Sequence, residues 1–308
     1  ITFVVDTNIN YTNICECQCK FCAFYKNKTH KKSYVLSYDH IQEKLYKLVS
    51  EKGTQLLMQG GLNSDLSIGY YTDLIKNIKK DFPSITIHSF SPPEIDFIAK
   101  TNSMKINDVL QMLKESGLDS IPGAGAEILI NTIRKKISPN KISSEEWLNI
   151  MEQAHKIGFP STATMMAGTI ESKSDIIDHL ITIRKLQSKT NGFTAFIPWS
   201  FQSNNTQMLI SKEFTGYDYL KLVAISRIVL DNIKNIQVSW PTQGIKLAQV
   251  ALNFGANDFG GTLLEENVLK STGINTTSSK KSIINAIKAV QKIPAQRDTQ
   301  YNILRIYQ

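Results

Sequence analysis

The hydrophobic and polar positions of this chain alternate between two kinds of segment. Short runs of β-branched and apolar residues, typical of buried strands, recur along the chain, and most precede a longer segment with helical periodicity. The predicted strands are residues 2–8, 55–59, 84–90, 119–121, 161–166, 193–197, 236–240 and 256–259. The predicted helices are residues 38–52, 69–81, 106–116, 144–158, 175–189 and 216–233. Repeated strand–helix units of this length predict an α/β fold with a parallel sheet.

The number of these units bears on the architecture. About eight units favour a closed (β/α)8 barrel of the TIM type over an open doubly wound sheet. The sequence contains no internal repeat or interdomain linker, so we expect residues 1–308 to form one domain. Within it, the C-terminal segment 263–308 is expected to pack on the barrel, and a polar loop at residues 276–281 precedes the last helix. Ligands of such barrels bind at the carboxyl ends of the strands, and the predicted strand ends are rich in Gly, Pro and polar residues.

Composition and charge exclude several classes of protein. Hydrophobic residues make up 42% and charged residues 20%, which is an ordinary globular balance and excludes a disordered chain. The net charge of +8 is spread along the chain and is densest at residues 26–32 and 134–136. It favours anions in general, but no basic stripe with interleaved aromatic residues indicates nucleic-acid binding. No run approaches the ~18 apolar residues that a membrane-spanning helix needs.

The four cysteines carry the strongest chemical signal. Cys15, Cys17, Cys19 and Cys22 all lie just after the first predicted strand, and none follows. This crowding indicates a metal and a reducing, cytoplasmic compartment rather than disulfides. The spacing Cys15-x3-Cys19-x2-Cys22 can hold three irons of a [4Fe–4S] cluster and leave the fourth iron open to a small molecule.

Two points about this loop stay open. Cys17 is one residue from both neighbours, and we interpret it as a bystander. A structural zinc site is the alternative, but zinc usually recruits a second pair of ligands, and the five histidines show no paired metal-binding spacing.

The cysteine spacing, with Phe21 before the last cysteine, resembles the signature of the radical S-adenosylmethionine (SAM) superfamily. Strings along nearly the whole chain resemble one branch, which contains the futalosine-pathway enzymes of menaquinone biosynthesis and deazaflavin (FO) synthase. They occupy residues 8–15, 22–25, 58–61, 88–94, 125–129, 163–166, 192–199, 239–244, 255–261 and 294–299. Within that branch, the chain is most similar to the cyclic dehypoxanthine futalosine synthase family.

The resemblance implies a radical SAM barrel with a [4Fe–4S] cluster and SAM as cofactors. Residues 13–25 would form the cluster loop, in which Cys15, Cys19 and Cys22 bind the cluster. SAM would chelate the open iron and yield a 5′-deoxyadenosyl radical after one-electron reduction. The residues implied to contact SAM are Phe21, Gln59, Gly60, Gly61, Glu127 and Arg134.

The same resemblance implies an oxidoreductase that cyclises dehypoxanthine futalosine after abstraction of the ribose C4′ hydrogen. His88 and Asp258 are the candidate catalytic residues, because the last step needs a base. Ser89, Thr164, Gln243, Glu265 and Arg297 are the candidate substrate contacts, with Arg297 reaching over the barrel mouth. A one-electron reductant such as flavodoxin or ferredoxin is the expected partner.

Two alternatives accompany this interpretation. The chain could be another member of the branch, such as aminofutalosine synthase or the FO synthase subunit. Outside the class, the cysteine loop and positive charge would suit a non-catalytic protein that binds metal or nucleic acid.

Overall fold

The computed structural model describes residues 1–209, 213–274 and 277–308. Its strands are β1 (Thr2–Val4), β2 (Asp6–Ile9), β3 (Gln55–Met58), β4 (Thr86–Ser89), β5 (Ser161–Ala167), β6 (Phe193–Ser200), β7 (Asn235–Ile236), β8 (Asp258–Gly261), β9 (Ala295–Arg297) and β10 (Ile303–Ile306). Its helices are α1 (Tyr38–Ser50), α2 (Ile68–Asp81), α3 (Pro92–Thr101), α4 (Ile106–Ser116), α5 (Asn131–Ile137), α6 (Ser144–Ile157), α7 (Lys173–Thr190), α8 (Gly216–Val229), α9 (Trp240–Gln243), α10 (Ile245–Ala251) and α11 (Lys280–Ala289). A short 3-10 helix covers Lys270–Thr272.

Local capping explains where several helices begin. The Ser143 hydroxyl accepts from the backbone N–H of Glu146, whose side chain accepts in return from the backbone of Ser143. This reciprocal pair satisfies two N–H groups that the first helical turn leaves free. At the start of α1, the Ser37 hydroxyl accepts from the backbone N–H of His40. Both predicted helix starts are therefore confirmed.

Parallel strand pairs and isolated bridges run in a complete circuit. Strands β2, β3 and β4 pair in that order, and β5, β6 and β7 form a second group. The bridges His88–Ser120 and Ile121–Ser161 join β4 to β5, and the bridge Gln237–Asp258 joins the end of β7 to β8. Strand β8 then pairs with β1, which continues into β2. The predicted α/β fold is confirmed, although residues 119–121 form only two isolated bridges instead of a strand.

The C-terminal segment closes one end of this circuit. Strand β9 pairs in parallel with β1 through Thr2–Ala295 and Phe3–Gln296, and β10 runs antiparallel to β9. These contacts lie at the amino end of the first strand. The prediction that Arg297 reaches over the mouth, at the carboxyl end, is therefore wrong. Asp258, a candidate catalytic residue, is the first residue of β8, so it also lies at the amino end.

One large hydrophobic core fills the space between the strands and the surrounding helices. Its largest fully buried side chains include Trp147, Tyr71 and Tyr219. A smaller cluster, formed by Ile128, Ile133, Ile137, Met166 and Phe201, packs against Phe21 of the cysteine loop. None of the helices in the described residues combines the length and apolar character of a membrane span. Thr276, the first residue of the predicted polar loop, lies outside the described residues.

Candidate active site

The cysteine loop leaves the carboxyl end of β2 and is fixed by backbone hydrogen bonds on three sides. The N–H of Cys15 donates to the Lys26 carbonyl at 3.2 Å, which closes the loop on itself. The N–H of Glu16 donates to Leu62, after β3, and that of Lys20 donates to Ile137, at the end of α5. The loop is therefore anchored to its neighbours even though it contains no regular secondary structure.

Gly61 lets the cysteine loop approach the segment after β3. A Cβ atom at Gly61 would lie 2.1 Å from the Ile14 carbonyl oxygen and 2.8 Å from Cys15 Cβ. Such contacts are far inside van der Waals distance, and the first is to backbone, which cannot rotate away. Only glycine fits here, because the two backbones touch.

All four cysteines line a cavity of about 190 Å³, which we name the cysteine chamber. The sulfur atoms of Cys17 and Cys19 are 3.4 Å apart. The hydrogen bond between them lowers the pKa of Cys19 to about 7 and raises that of Cys17 well above its usual range. Burial raises the pKa of Cys22 to about 11 and also raises that of Cys15. Deprotonation of the two outer thiols therefore needs a cation beside them.

The residues of the cysteine chamber fit an iron–sulfur cluster with a small ligand. Cys15, Cys19 and Cys22 face one cavity, and the buried Oδ1 of Asn10 beside them has no hydrogen-bond partner in the described part of the chain. No three His, Cys, Asp or Glu side chains of the described residues are placed to hold a single metal ion. A cluster differs from a single ion in this respect, because each of its irons takes a different cysteine.

A buried ion pair that the sequence did not reveal lies next to the cysteines. Lys141 Nζ contacts Glu127 Oε1 at 2.6 Å and lies 5.0 Å from the centre of the Phe21 ring. Burial alone would lower the pKa of Lys141, but the neighbouring Cys19 and Glu127 raise it above its usual range. Glu127 itself has φ of 43°, a left-handed conformation that is unusual for a residue with a side chain and that recurs at functional sites.

Arg134 holds the backbone next to Glu127 by hydrogen bonds. Its guanidinium donates to the backbone carbonyls of Gly125, Ala126 and Ile142 at 3.1, 2.5 and 2.7 Å. The side chain is buried and lines neither this cavity nor the one described next. The structure thus separates Arg134 from the other predicted SAM contacts, which all line the cysteine chamber.

Glu94 fixes the backbone at Gly60, one of the predicted SAM contacts. Its carboxylate accepts from the Gly60 N–H at 2.9 Å and the Tyr11 hydroxyl at 2.8 Å, and also from the N–H and hydroxyl of Ser91. The amide of Asn10 donates to the Gln59 carbonyl at 3.0 Å. The sequence held a signal for Glu94, since Ser91-Pro-Pro-Glu94 has the spacing of a capping box at the start of α3.

A second cavity of about 360 Å³, which we name the barrel chamber, lies inside the strand circuit. It shares Phe21, Gln59, Ala124, Gly125, Glu127 and Val268 with the cysteine chamber. Much of its wall is apolar and includes Leu57, Ile197, Val238, Trp199 and Trp240. A molecule in the cysteine chamber would therefore meet a molecule in the barrel chamber at this shared border.

Three polar residues face the barrel chamber from β2, β4 and β5. His88 Nδ1 lies 2.7 Å from the Ser120 hydroxyl, and burial lowers its pKa to about 3, so it is neutral. Thr164 also lines the cavity and donates to the Gly123 carbonyl at 2.8 Å. Asp6, which the sequence analysis did not single out, lines the cavity as well, and burial raises its pKa to about 6.

Asp258 and Arg297 form a buried pair at the amino end of the barrel. Arg297 donates to the two Asp258 oxygens at 2.6 and 3.0 Å, and the Thr2 hydroxyl and Gly260 N–H donate to the same carboxylate. Asp258 is fully buried and Arg297 is 3% exposed. Because the Asp258 carboxylate accepts four hydrogen bonds, it is poorly placed to accept a proton as well.

The remaining substrate candidates do not line the barrel chamber. The Ser89 hydroxyl donates to the Met58 carbonyl at 2.6 Å, and the Gln243 amide donates to the Ser200 hydroxyl. Glu265 pairs with Lys44 in a surface groove outside the barrel. Of the five candidate substrate contacts, Thr164 and Arg297 line the barrel chamber and the other three do not. The roles of all five stay predictions.

The strand circuit and the three cysteines at its carboxyl end define a radical SAM protein. The family model described as "Radical SAM superfamily" matches residues 9–183, and the chain belongs to this superfamily. A second family model, described as "CofH/MqnC C-terminal region", matches residues 190–308. The predicted superfamily and the prediction of an enzyme are thereby confirmed, and a purely metal- or nucleic-acid-binding protein is set aside.

Individual relatives narrow the comparison. The chain is 48% identical over 307 residues to the cyclic dehypoxanthine futalosine synthase of Halalkalibacterium halodurans, covering 100% of this chain and 83% of the relative. It is 42% identical over 308 residues to the 5-amino-6-(D-ribitylamino)uracil–L-tyrosine 4-hydroxyphenyl transferase of Archaeoglobus fulgidus, covering 99% and 89%. Among solved structures, the [FeFe]-hydrogenase maturase HydG superposes with a TM-score of 0.73 at 14% identity, covering 96% of this chain and 64% of HydG. That likeness supports the fold alone.

Proposed function

We propose that this chain is a cyclic dehypoxanthine futalosine synthase of menaquinone biosynthesis. The observation that carries the proposal is the pair of adjoining chambers, one lined by the cysteine trio and the other by apolar strand residues, which meet at Phe21, Gln59 and Glu127. The 48% identity to a relative of that name, over the whole chain, selects the substrate.

Specific residues would hold the cofactors. Cys15, Cys19 and Cys22 would bind a [4Fe–4S] cluster, and SAM would bind against residues 59–61 with Asn10 and Glu127. When bound, this pair supplies a 5′-deoxyadenosyl radical that can abstract the ribose C4′ hydrogen. The ammonium of Lys141 lies beside Cys19 and Glu127 and offsets the negative charge of the thiolates.

The barrel chamber then protects and completes the reaction. Its apolar wall excludes water and other hydrogen donors from a reactive carbon centre. After ring closure the substrate radical must lose one electron and one proton to restore its aromatic ring; the electron would go to the oxidised cluster, and a base inside the chamber has to accept the proton. Asp6 and His88 both line the chamber, and Asp6, with its pKa near neutrality, is the stronger base of the two. Asp258 can act only if Arg297 releases it.

The expected reductant has a suitable approach. A groove of about 730 Å³ outside the cysteine loop is lined by Lys26, Lys32, Lys44 and Lys270, and we name it the lysine groove. Phe24 lines both this groove and the cysteine chamber, so the groove reaches the cluster site. Its positive charge suits an acidic electron carrier such as flavodoxin or ferredoxin. Four unpaired thiols also suit a cytoplasmic location.

The test is turnover by the anaerobically reconstituted enzyme. With SAM and a reductant, dehypoxanthine futalosine should give its cyclised product, whereas L-tyrosine with 5-amino-6-(D-ribitylamino)uracil should give none. Cys15→Ser, Cys19→Ser and Cys22→Ser should each lose the cluster's visible absorbance, and Cys17→Ser should retain it. If instead L-tyrosine and 5-amino-6-(D-ribitylamino)uracil gave a product, the chain would have the activity named for the archaeal relatives, and the proposal would be wrong.

A further inference from the structure

Three polar atoms around the barrel chamber are buried and have no hydrogen-bond partner among the described residues. They are Asn8 Oδ1, Thr299 Oγ1 and the Tyr301 hydroxyl, and all three residues line the cavity. Within the described ranges 1–209, 213–274 and 277–308, no atom accepts from or donates to them. A buried polar group without a partner loses its hydration and gains nothing, so such groups are rare in native proteins and call for an explanation.

Two of these residues, Thr299 and Tyr301, line the barrel chamber together with Arg297, which lies at the amino end of the barrel. The C-terminal segment inserts Arg297, Thr299 and Tyr301 here, and we name these three residues the floor of the barrel chamber. The Tyr301 ring lies 3.9 Å from the guanidinium carbon of Arg297. Arg297 donates through Nε and Nη2 to Asp258 and through Nη1 to the Asp298 carbonyl. A guanidinium has five N–H donors, so the described residues accept from only three of them.

We propose that the floor binds a carboxylate of the substrate, and that Asn8 Oδ1 accepts a hydrogen bond from a hydroxyl nearer the cysteine chamber. The inference rests on the proposed function, whose substrate carries a benzoate and a ribose. A carboxylate only accepts hydrogen bonds, and the floor offers the hydroxyls of Thr299 and Tyr301 with the spare N–H groups of Arg297.

The position of the floor indicates which way round the substrate lies in the barrel chamber. The floor lies at the amino end of β1, while Asn8 lies near the carboxyl end of β2, whose following loop carries the cysteines. A ligand that satisfies both ends must be elongated, with its acidic group far from the cysteines. Its hydroxylated part then lies near the border that the two chambers share.

Binding without reductant tests the inference separately from catalysis. Trp199 and Trp240 line the barrel chamber, so their fluorescence reports occupancy. Dehypoxanthine futalosine and its benzoate methyl ester are titrated into the wild type, Thr299→Val, Tyr301→Phe and the double variant. Tyr217→Phe and Thr182→Val, which lie on α8 and α7 outside the barrel, are the matched controls.

We expect the wild type to bind the acid at least about tenfold more tightly than the ester, because the ester cannot accept several charge-assisted hydrogen bonds. Each floor variant should reduce that preference about tenfold, while the controls keep it. Without ligand, the floor variants should unfold at the same urea concentration as the wild type or at a higher one, since they lose only a hydroxyl that has no partner among the described residues. If these hydroxyls served only to stabilise the fold, the variants would unfold at a lower urea concentration than the wild type.

The outcomes separate this inference from the function. A wild type that binds acid and ester equally, or floor variants that retain the full preference, would overturn the inference and leave the function standing. A wild type that binds neither compound and forms no cyclised product would overturn both.

Discussion

The Asp258–Arg297 pair offers a quantitative test of its structural role. The pair is almost fully buried, and Asp258 accepts two of its four hydrogen bonds from Arg297. Arg297→Met preserves much of the side-chain volume but leaves a buried carboxylate without its cation. Removing one partner of a buried pair costs about 3–5 kcal/mol, and we expect that loss in the free energy of unfolding.

The measurement is urea unfolding of the cluster-free protein under reducing conditions, with linear extrapolation. Arg184→Met is the matched control, because Arg184 pairs with Asp231 on the surface, where both side chains are about half exposed (45% and 64%). A surface pair contributes at most about 1 kcal/mol. The double variant Asp258→Asn/Arg297→Met should be less destabilised than the sum of its single changes. A cost for Arg297→Met no greater than that of the control would refute the structural role.

Three further predictions follow from other parts of the molecule. Gly61→Ala should push the cysteine loop away from the segment after β3, because the new Cβ would clash with the Ile14 carbonyl. We expect the protein to be destabilised by about 1–3 kcal/mol and to contain less iron. Gly69→Ala in α2, whose new Cβ would lie 3.5 Å from the nearest atom, should change neither stability nor iron content. His179→Asn keeps an acceptor for the Leu129 N–H. Burial lowers the pKa of His179 to about 3, so at pH values between about 6.5 and 3 only the unfolded state takes a proton at this residue. Between about pH 7.5 and 5, the free energy of unfolding of the wild type should therefore fall by about 2 kcal/mol more than that of the variant. An equal fall in both proteins would contradict this sign. Lys32→Glu with Lys270→Glu should raise the KM for flavodoxin about tenfold and leave dithionite-driven turnover unchanged, and Lys234→Glu at the opposite end of the barrel should change neither.

The local patterns of the sequence predicted most of the fold. Six helices begin and end within a few residues of their predicted bounds, because capping residues and helical periodicity are local signals. Strands β9 and β10 were missed, since each has few residues: β9 gains its place by pairing with β1, far away in the chain, and β10 by pairing with β9. Residues 119–121 were overpredicted, because an apolar run alone does not guarantee a ladder.

The candidate site divides in the same way. The cysteine trio was predictable because its spacing is itself the ligand geometry. Three other features could not be predicted from the sequence. They are the Glu127–Lys141 pair, the buried carboxylate of Asp6, and the hydroxyls of Thr299 and Tyr301, which have no partner among the described residues. Their chemistry comes from burial and from partners in other elements, and neither property is written in a local pattern. Asp258 and Arg297 were identified from sequence, but the structure places them at the amino end of the barrel instead of at its mouth.

The pairing of β1 has a consequence for how the chain assembles during synthesis. Its neighbours β8 and β9 begin at Asp258 and Ala295, more than 250 residues further along the chain. During synthesis β1 therefore waits for β8 and β9, and in that interval its apolar side chains and the four thiols of the loop after β2 lack their native cover. A cluster inserted into the complete strand circuit must therefore follow the synthesis of β9.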